Sequence, residues 1–131
     1  MEGKSKVLII DDNKDFLFTM STFLERNGFE TVTASDGKQG LEMAEKERPD
    51  VVLLDVMMET LFSGFEVCKE LRNNPNLKDI PIIGISGMSE ELGVKFDKDR
   101  DEEYFSPDVF FDKPVDKDKL IETINQLTAK K

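Results

Sequence analysis

Two short apolar runs in this chain end directly in acidic residues. Residues 7–10 are followed by Asp11 and Asp12, and residues 51–54 are followed by Asp55. Such a run is typical of a buried strand that presents its acid at the carboxyl end of a parallel sheet. If the two strands are neighbours, three carboxylates meet in a small volume, where their repulsion should hold a proton or recruit a cation. Oxygen ligands without histidine or thiolate favour a hard ion such as Mg²⁺.

Two further apolar segments end in a hydroxyl and a cation. The segment 82–85 ends at Ser86, and the segment 109–111 runs through Asp112 into Lys113. Because the carboxyl ends of parallel strands meet at one edge of a sheet, we expect the hydroxyl and the ammonium group beside the acids.

Helical patterns lie between these runs. Asn13 can cap a first helix whose apolar residues recur at helical spacing, and Gly28 stands where a C-terminal glycine is expected. The pattern predicts a short strand at 31–34 and further helices that begin at Ser35-Asp36, near Phe65 and at Asp116. Alternating strands and helices predict an α/β fold, a doubly wound parallel sheet covered by helices on both faces.

Composition narrows the class of protein. The 131 residues predict a single domain over 1–131, with a core from about 6 to 127 and no output domain. The net charge of −10 disfavours nucleic acid as a direct partner, and the absence of histidine excludes a phosphohistidine on this chain. Cys68 is predicted to pack in the core, and a lone thiol suits a reducing compartment. No segment has the length of a membrane span or signal sequence, so we expect a cytoplasmic protein without membrane contact.

In chain order, the acid pair, the strand-end Asp55, the hydroxyl of Ser86 and the dipeptide that starts at Lys113 resemble a known family. They are similar to the receiver domain of bacterial two-component response regulators, and the likeness covers nearly the whole chain. It implies a flavodoxin-like sheet with the strand order 2-1-3-4-5. In that order the first and third strands lie side by side.

The resemblance implies a role for each matching residue. Asp55 would be the phosphoacceptor, Lys113 the cation that pairs with the phosphoryl group, and Ser86 the switch hydroxyl. Phe110 matches the family's aromatic switch position. The implied Mg²⁺ ligands are Asp11, Asp12, Asp55 and the backbone carbonyl of Met57.

The implied function is a phosphorylation-dependent signalling switch, which is not an enzyme that turns over an external substrate. A sensor histidine kinase or a histidine phosphotransfer protein would supply the phosphoryl group. An unknown downstream protein would respond to a changed surface near Phe110, formed by the last two helices and the fifth strand. The protein is expected to be a monomer or a weak dimer.

Two segments depart from the family pattern. The loop after Asp55 lacks the usual proline, and Gly64 lies nine residues after Asp55 instead of eight. Ser86 and Lys113 are 27 positions apart, which is a few more than expected, so the path of 87–108 is the least predictable.

Other functions remain open as alternatives. A receiver-like interaction module that works without phosphorylation would share this fold. An aspartyl phosphatase would need a general acid where Met57 stands, and a flavin-binding domain would need a phosphate-binding loop in place of Asp11-Asp12-Asn13. The acidic stretch 97–101 copies only the beginning of a calcium-binding loop, so a solvated acidic segment is the preferred interpretation.

Overall fold

The structure of the protein is a computed structural model that describes residues 5–55, 63–86, 109–112 and 115–128. Only the backbone is described for residues 63–65, 86, 109, 110 and 112. From residue 6 to residue 86 strands and helices alternate, as the sequence predicted, and residues 87–108 lie outside the described ranges. The described elements are β1 (Lys6–Ile10), α1 (Lys14–Arg26), β2 (Glu30–Ala34), α2 (Gly37–Glu47), β3 (Val51–Asp55), α3 (Ser63–Asn73), β4 (Ile82–Ser86), β5 (Val109–Asp112) and α4 (Lys117–Thr128).

The five strands form one parallel sheet in the order β2-β1-β3-β4-β5. This confirms the doubly wound sheet and the predicted strand order. The order reverses between β1 and β3, since the chain first adds β2 on one side of β1 and then continues on the other side. Ligands of such sheets bind at the carboxyl ends of the strands at this reversal point.

Alternate residues of the central strands enter two separate hydrophobic cores. Side chains of successive strand residues point to opposite faces, and here both faces are covered by helices, which explains the uninterrupted apolar runs. One core joins the sheet to α2 and α3 through Leu8, Ile10, Ala44, Val52, Leu54, Val67, Cys68 and Leu71. The other joins it to α1 and α4 through Val7, Ile9, Leu17, Met20, Leu24, Val51, Leu53, Leu120 and Ile124.

Helix ends follow the predicted capping residues. Asn13, Asp36 and Asp116 each accept a hydrogen bond from the backbone N–H three residues later, at 3.1, 2.7 and 3.2 Å. These bonds satisfy amides that have no partner within the helix. After α1, Gly28 adopts a positive φ of 93°, as a glycine there predicts. The C-cap of α2 is different, because Arg48 takes the left-handed conformation with φ 49°.

Helix α2 lies very close to the end of β1. A β-carbon added at Gly40 would stand 2.6 Å from Cδ1 and 2.9 Å from Cγ1 of Ile10. Only glycine fits this approach without a shift of the neighbouring side chain. Ile10 directly precedes Asp11, so the packing of α2 also bears on the carboxyl end of β1.

The buried thiol of Cys68 is 1 % exposed, which confirms its place in the core. Among the helices of the described ranges, none is both long and apolar enough to cross a membrane.

Candidate metal centre

Three carboxylates converge at the carboxyl end of the two central strands. Asp11, Asp12 and Asp55 each offer an oxygen, and these oxygens all lie within 4.8 Å of one another. The register explains the convergence, because Ile10 of β1 pairs with Leu54 of β3 and the next residue of each chain segment is an aspartate. The predicted meeting of the three acids at one sheet edge is therefore confirmed.

Asp11 is held at both its backbone and its side chain. Its N–H donates to the carbonyl of Ala34 at 3.1 Å, which continues the β1–β2 ladder one residue past the strand. Its carboxylate Oδ1 accepts the backbone N–H of Asn13 at 2.8 Å. The side chain is fully buried. Asp11 is therefore the fully buried member of the acidic cluster, and its position is fixed by these two hydrogen bonds.

The other two acids differ in exposure. Asp55 is 6 % exposed at the end of β3, whereas Asp12 is exposed to solvent. Two carboxylates about 5 Å apart repel by roughly 1 kcal/mol even at the dielectric constant of water, and by more when they are buried. A cation that joins the cluster from the solvent side removes this repulsion.

The donor set fits Mg²⁺. Among the described residues, the candidate ligand atoms are all carboxylate oxygens, and Mg²⁺ binds proteins through a few such oxygens while it keeps several waters. Because Asp12 is exposed, ions in solution can reach the cluster. Asp11, Asp12 and Asp55 are thus the residues of the described ranges that would hold the ion.

The backbone of β4 places Ser86 beside the acidic cluster. Asp55 pairs with Ile85, the residue before Ser86, and Ser86 itself pairs with Asp112 of β5. Lys113 is the residue that follows Asp112 in the sequence. Lys113 and Met57 lie outside the described residues, as do the loop 56–62 and the segment 87–108.

The aromatic pair of β5 is described in part. Phe110 pairs with Gly84 in the register, and its side chain is outside the described part of the structure. Phe111 packs against the core formed with α1 and α4. The switch role of Phe110 stays a prediction.

The hydrogen bond between Asn13 and Asp11 is a site feature that sequence reasoning missed. The sequence pattern indicates only a helix cap at Asn13. An aspartate that accepts the N–H two residues later forms an Asx turn, a local arrangement that aspartate favours. The spacing of Asp11 and Asn13 was the available signal, but the same spacing occurs in many unrelated turns.

Comparison with known proteins agrees with this architecture. The family model described as "Response regulator receiver domain" matches residues 7–125. The chain therefore belongs to the response regulator receiver domain family. Receiver domains take phosphoryl groups from histidine kinases, bind Mg²⁺ at their acidic site and act on downstream targets as signalling switches.

Individual relatives differ in how much of their length the chain matches. Protein PilH of Pseudomonas aeruginosa is 31 % identical over 125 residues, which cover 95 % of this chain and 98 % of PilH. The alkaline phosphatase synthesis transcriptional regulatory protein PhoP of Bacillus subtilis is 41 % identical over 87 residues, which cover 66 % of this chain. The match spans about a third of the length of PhoP, 35 %.

A solved structure of similar fold is the receiver domain of the sensor histidine kinase PA1611 from Pseudomonas aeruginosa. It superposes with a TM-score of 0.82 at 20 % identity and covers 97 % of this chain and 99 % of that domain. That crystal structure has a magnesium ion coordinated in its active site cleft.

Proposed function

We propose that this protein is a phosphorylation-dependent signalling switch that accepts a phosphoryl group on Asp55 from a phosphohistidine donor, with Mg²⁺. The observation that carries the proposal is the convergence of three carboxylate oxygens within 4.8 Å at the carboxyl ends of β1 and β3. A fold that gathers like charges at one edge gains stability when a cation joins the site, and the cation also offsets the negative charge of an incoming phosphoryl group.

Asp55 is the nucleophile in this proposal. Its carboxylate oxygen attacks phosphorus, a new O–P bond forms, and the P–N bond to the donor imidazole breaks. The attacking group and the phosphoryl group are both anionic, so positioning and charge neutralisation supply most of the rate. Asp11, Asp12, Asp55 and the backbone carbonyl of Met57 would hold Mg²⁺, which would neutralise part of the phosphoryl charge.

Lys113 and Ser86 complete the proposed site. The Lys113 ammonium pairs with a phosphoryl oxygen, and the Ser86 hydroxyl donates a hydrogen bond to another. The backbone register supports the role of Ser86, because the residue before it pairs with Asp55. Ser86 is the last residue of β4, and Lys113 comes directly after the last residue of β5 in the sequence.

In the phosphorylated form, Asp55 carries a phosphoryl group of about −1.5 to −2 charges with three acceptor oxygens, in place of the single negative charge of its carboxylate. A switch from about 1 % to about 99 % of the active form needs roughly 5.5 kcal/mol of differential stabilisation. Hydrogen bonds to charged groups contribute about 1.5 to 3 kcal/mol each, so a few new bonds at Ser86, Lys113 and nearby amides suffice. The response then reaches the surface near Phe110, where a downstream protein binds.

The relatives support this proposal without naming the partners. PilH matches over nearly its whole length, and the PA1611 receiver domain holds magnesium in its cleft. The proposed upstream partner is a sensor histidine kinase or histidine phosphotransfer protein. In this proposal the protein acts in the cytoplasm as a monomer or weak dimer, and it does not contact nucleic acid or a membrane directly.

The decisive experiment is phosphorylation by acetyl phosphate with Mg²⁺, followed by intact-mass spectrometry. The wild type should gain one phosphoryl group, and Asp55→Asn should gain none. Asp79→Asn is the matched control, since it makes the same substitution at an exposed aspartate at the opposite end of the sheet, just before β4. A wild type that gains no phosphoryl group but still binds its target would favour the phosphorylation-independent interaction module.

A further inference from the structure

Asn13 connects the start of α1 to the buried acid of the cluster. Its backbone N–H donates to Oδ1 of Asp11 at 2.8 Å, while its own side-chain Oδ1 accepts the N–H of Phe16 at 3.1 Å. The residue is extended, with φ −89° and ψ 108°, as an N-cap requires. One residue thus takes part in both the helix cap and the carboxylate contact.

The contact fixes the direction of a candidate metal ligand. A carboxylate is planar, so a hydrogen bond to one oxygen of Asp11 also restricts where the other oxygen points. The N–H of Asn13 reaches Asp11 only while the backbone of residues 11–13 keeps its path from β1 into α1. The bond from the Phe16 N–H to the Asn13 side chain ties residue 13 to the first turn of α1, and so helps to hold that path.

We propose that Asn13 is a positioning residue for Asp11 and that its side-chain cap raises the Mg²⁺ affinity of the acidic site. The inference rests on the proposed function, since it assigns a role to Asn13 in the cation site proposed above. Partners of metal ligands act by fixing the ligand before the ion arrives, so that less ordering is left for the binding step. Asn13 does this through the backbone, and its side chain need not touch the ion.

Three substitutions of Asn13 distinguish the effect of its side-chain cap from other effects of changing the residue. Asn13→Ala removes the acceptor of the Phe16 N–H, and Asn13→Gly removes it with little loss of helix stability. Asn13→Ser keeps a capping oxygen and leaves the charge of the site unchanged. The matched control is Asn27→Ala, which removes an amide that donates to the Phe23 carbonyl at 2.8 Å, at the other end of the same helix.

Mg²⁺ affinity is measured by calorimetric titration of each purified protein. We expect Asn13→Ala and Asn13→Gly to weaken binding roughly three- to tenfold, at or below the usual effect of removing a partner of a metal ligand. Asn13→Ser should stay close to the wild type, and Asn27→Ala should bind with unchanged affinity. In the metal-free proteins, the amide proton of residue 13 should exchange faster in Asn13→Gly than in Asn27→Ala.

Phosphorylation by acetyl phosphate gives a second readout. The Mg²⁺ concentration for half-maximal rate should rise in Asn13→Ala and Asn13→Gly, whereas the rate at saturating Mg²⁺ should match the wild type. Equal Mg²⁺ affinity in Asn13→Gly and Asn27→Ala would overturn the role of Asn13 and leave the proposed function standing. A wild type that binds no Mg²⁺ would overturn both.

Discussion

The two ends of the central strands carry charge in opposite ways. At the amino end of β1, the Lys6 ammonium lies 3.0 Å from Glu47 and 3.9 Å from Glu30, and the Lys6 N–H donates to Asp50 at 2.7 Å. At the carboxyl ends of β1 and β3, three carboxylates of the same sign meet within 4.8 Å. Opposite charges at the amino end support the fold. Like charges at the carboxyl end store repulsion that a cation can relieve.

This contrast separates stability from function along the same two strands. At the amino end, the charge of Lys6 is balanced by acids of the same chain. The acids at the carboxyl end have the same sign of charge, so a cation from solution is needed to balance them. If this distinction is right, substitutions of acids at the two ends should differ in their response to Mg²⁺ and in the sign of their effect on stability.

The largest expected effect is the stabilisation by Mg²⁺ itself. An ion that binds only the folded state, at 100 times its dissociation constant, raises the free energy of unfolding by about 2.7 kcal/mol. Asp12→Asn should lose most of this gain, because it removes a ligand of the carboxyl end. Glu47→Gln should keep it. Urea denaturation with and without MgCl₂ at matched ionic strength measures the difference, and an equal loss in both variants would break the comparison.

The next effect concerns the packing of α2 on β1. Gly40→Ala places a methyl group 2.6 Å from Cδ1 of Ile10. Overpacking costs about 1 to 3 kcal/mol, and the gain in helix propensity offsets about 1 kcal/mol of it, so a net loss of about 1 kcal/mol is expected. Adding Ile10→Val, which deletes Cδ1, should restore part of the loss in urea denaturation. Greater stability of Gly40→Ala alone would show that α2 can shift without cost.

The sign of the charge effects is the third test. Without Mg²⁺ and at low salt, Asp12→Asn should raise the free energy of unfolding by a few tenths to about 1 kcal/mol, since it removes repulsion. Glu47→Gln should lower it, since it removes the partner of Lys6. Both changes should shrink as salt screens the charges. A loss of stability in both variants would mean that Asp12 supports the fold through contacts other than charge.

The smallest effect is the pH dependence of the amino end. The hydrogen bond to Glu47 is the main cause that raises the pKa of Lys6 above its ordinary 10.5. A raised pKa stabilises the fold fully below the unfolded value, and that contribution disappears as pH rises through the folded value. The melting temperature of Lys6→Met should therefore lie below that of the wild type at pH 7 to 9 and approach it above about pH 10.5. Lys38→Gln, at an exposed lysine of α2, serves as the control and should show no such convergence.

Much of the fold followed from local patterns. Residues 51–54 are apolar without interruption because both faces of β3 are buried, and the caps at Asn13 and Asp36 follow from the need to satisfy helix amides. The left-handed Arg48 was not predictable, since its residue type gives no such signal and the chain must turn there from α2 into β3. For the same reason Gly40 was not recognised, because its importance depends on a contact with Ile10 thirty positions away.

For the candidate site, the sequence by itself determined which residue types stand at the strand ends, because each apolar run stops where its buried strand ends. The roles of Met57, Lys113 and Phe110 stay predictions from the family resemblance. Only the tertiary structure decided that β1 lies beside β3, and that Ile10 pairs with Leu54. Strand order and register come from packing between distant segments, and a shift of one residue would turn every side chain of a strand to the other face. That long-range packing brings the three acids together.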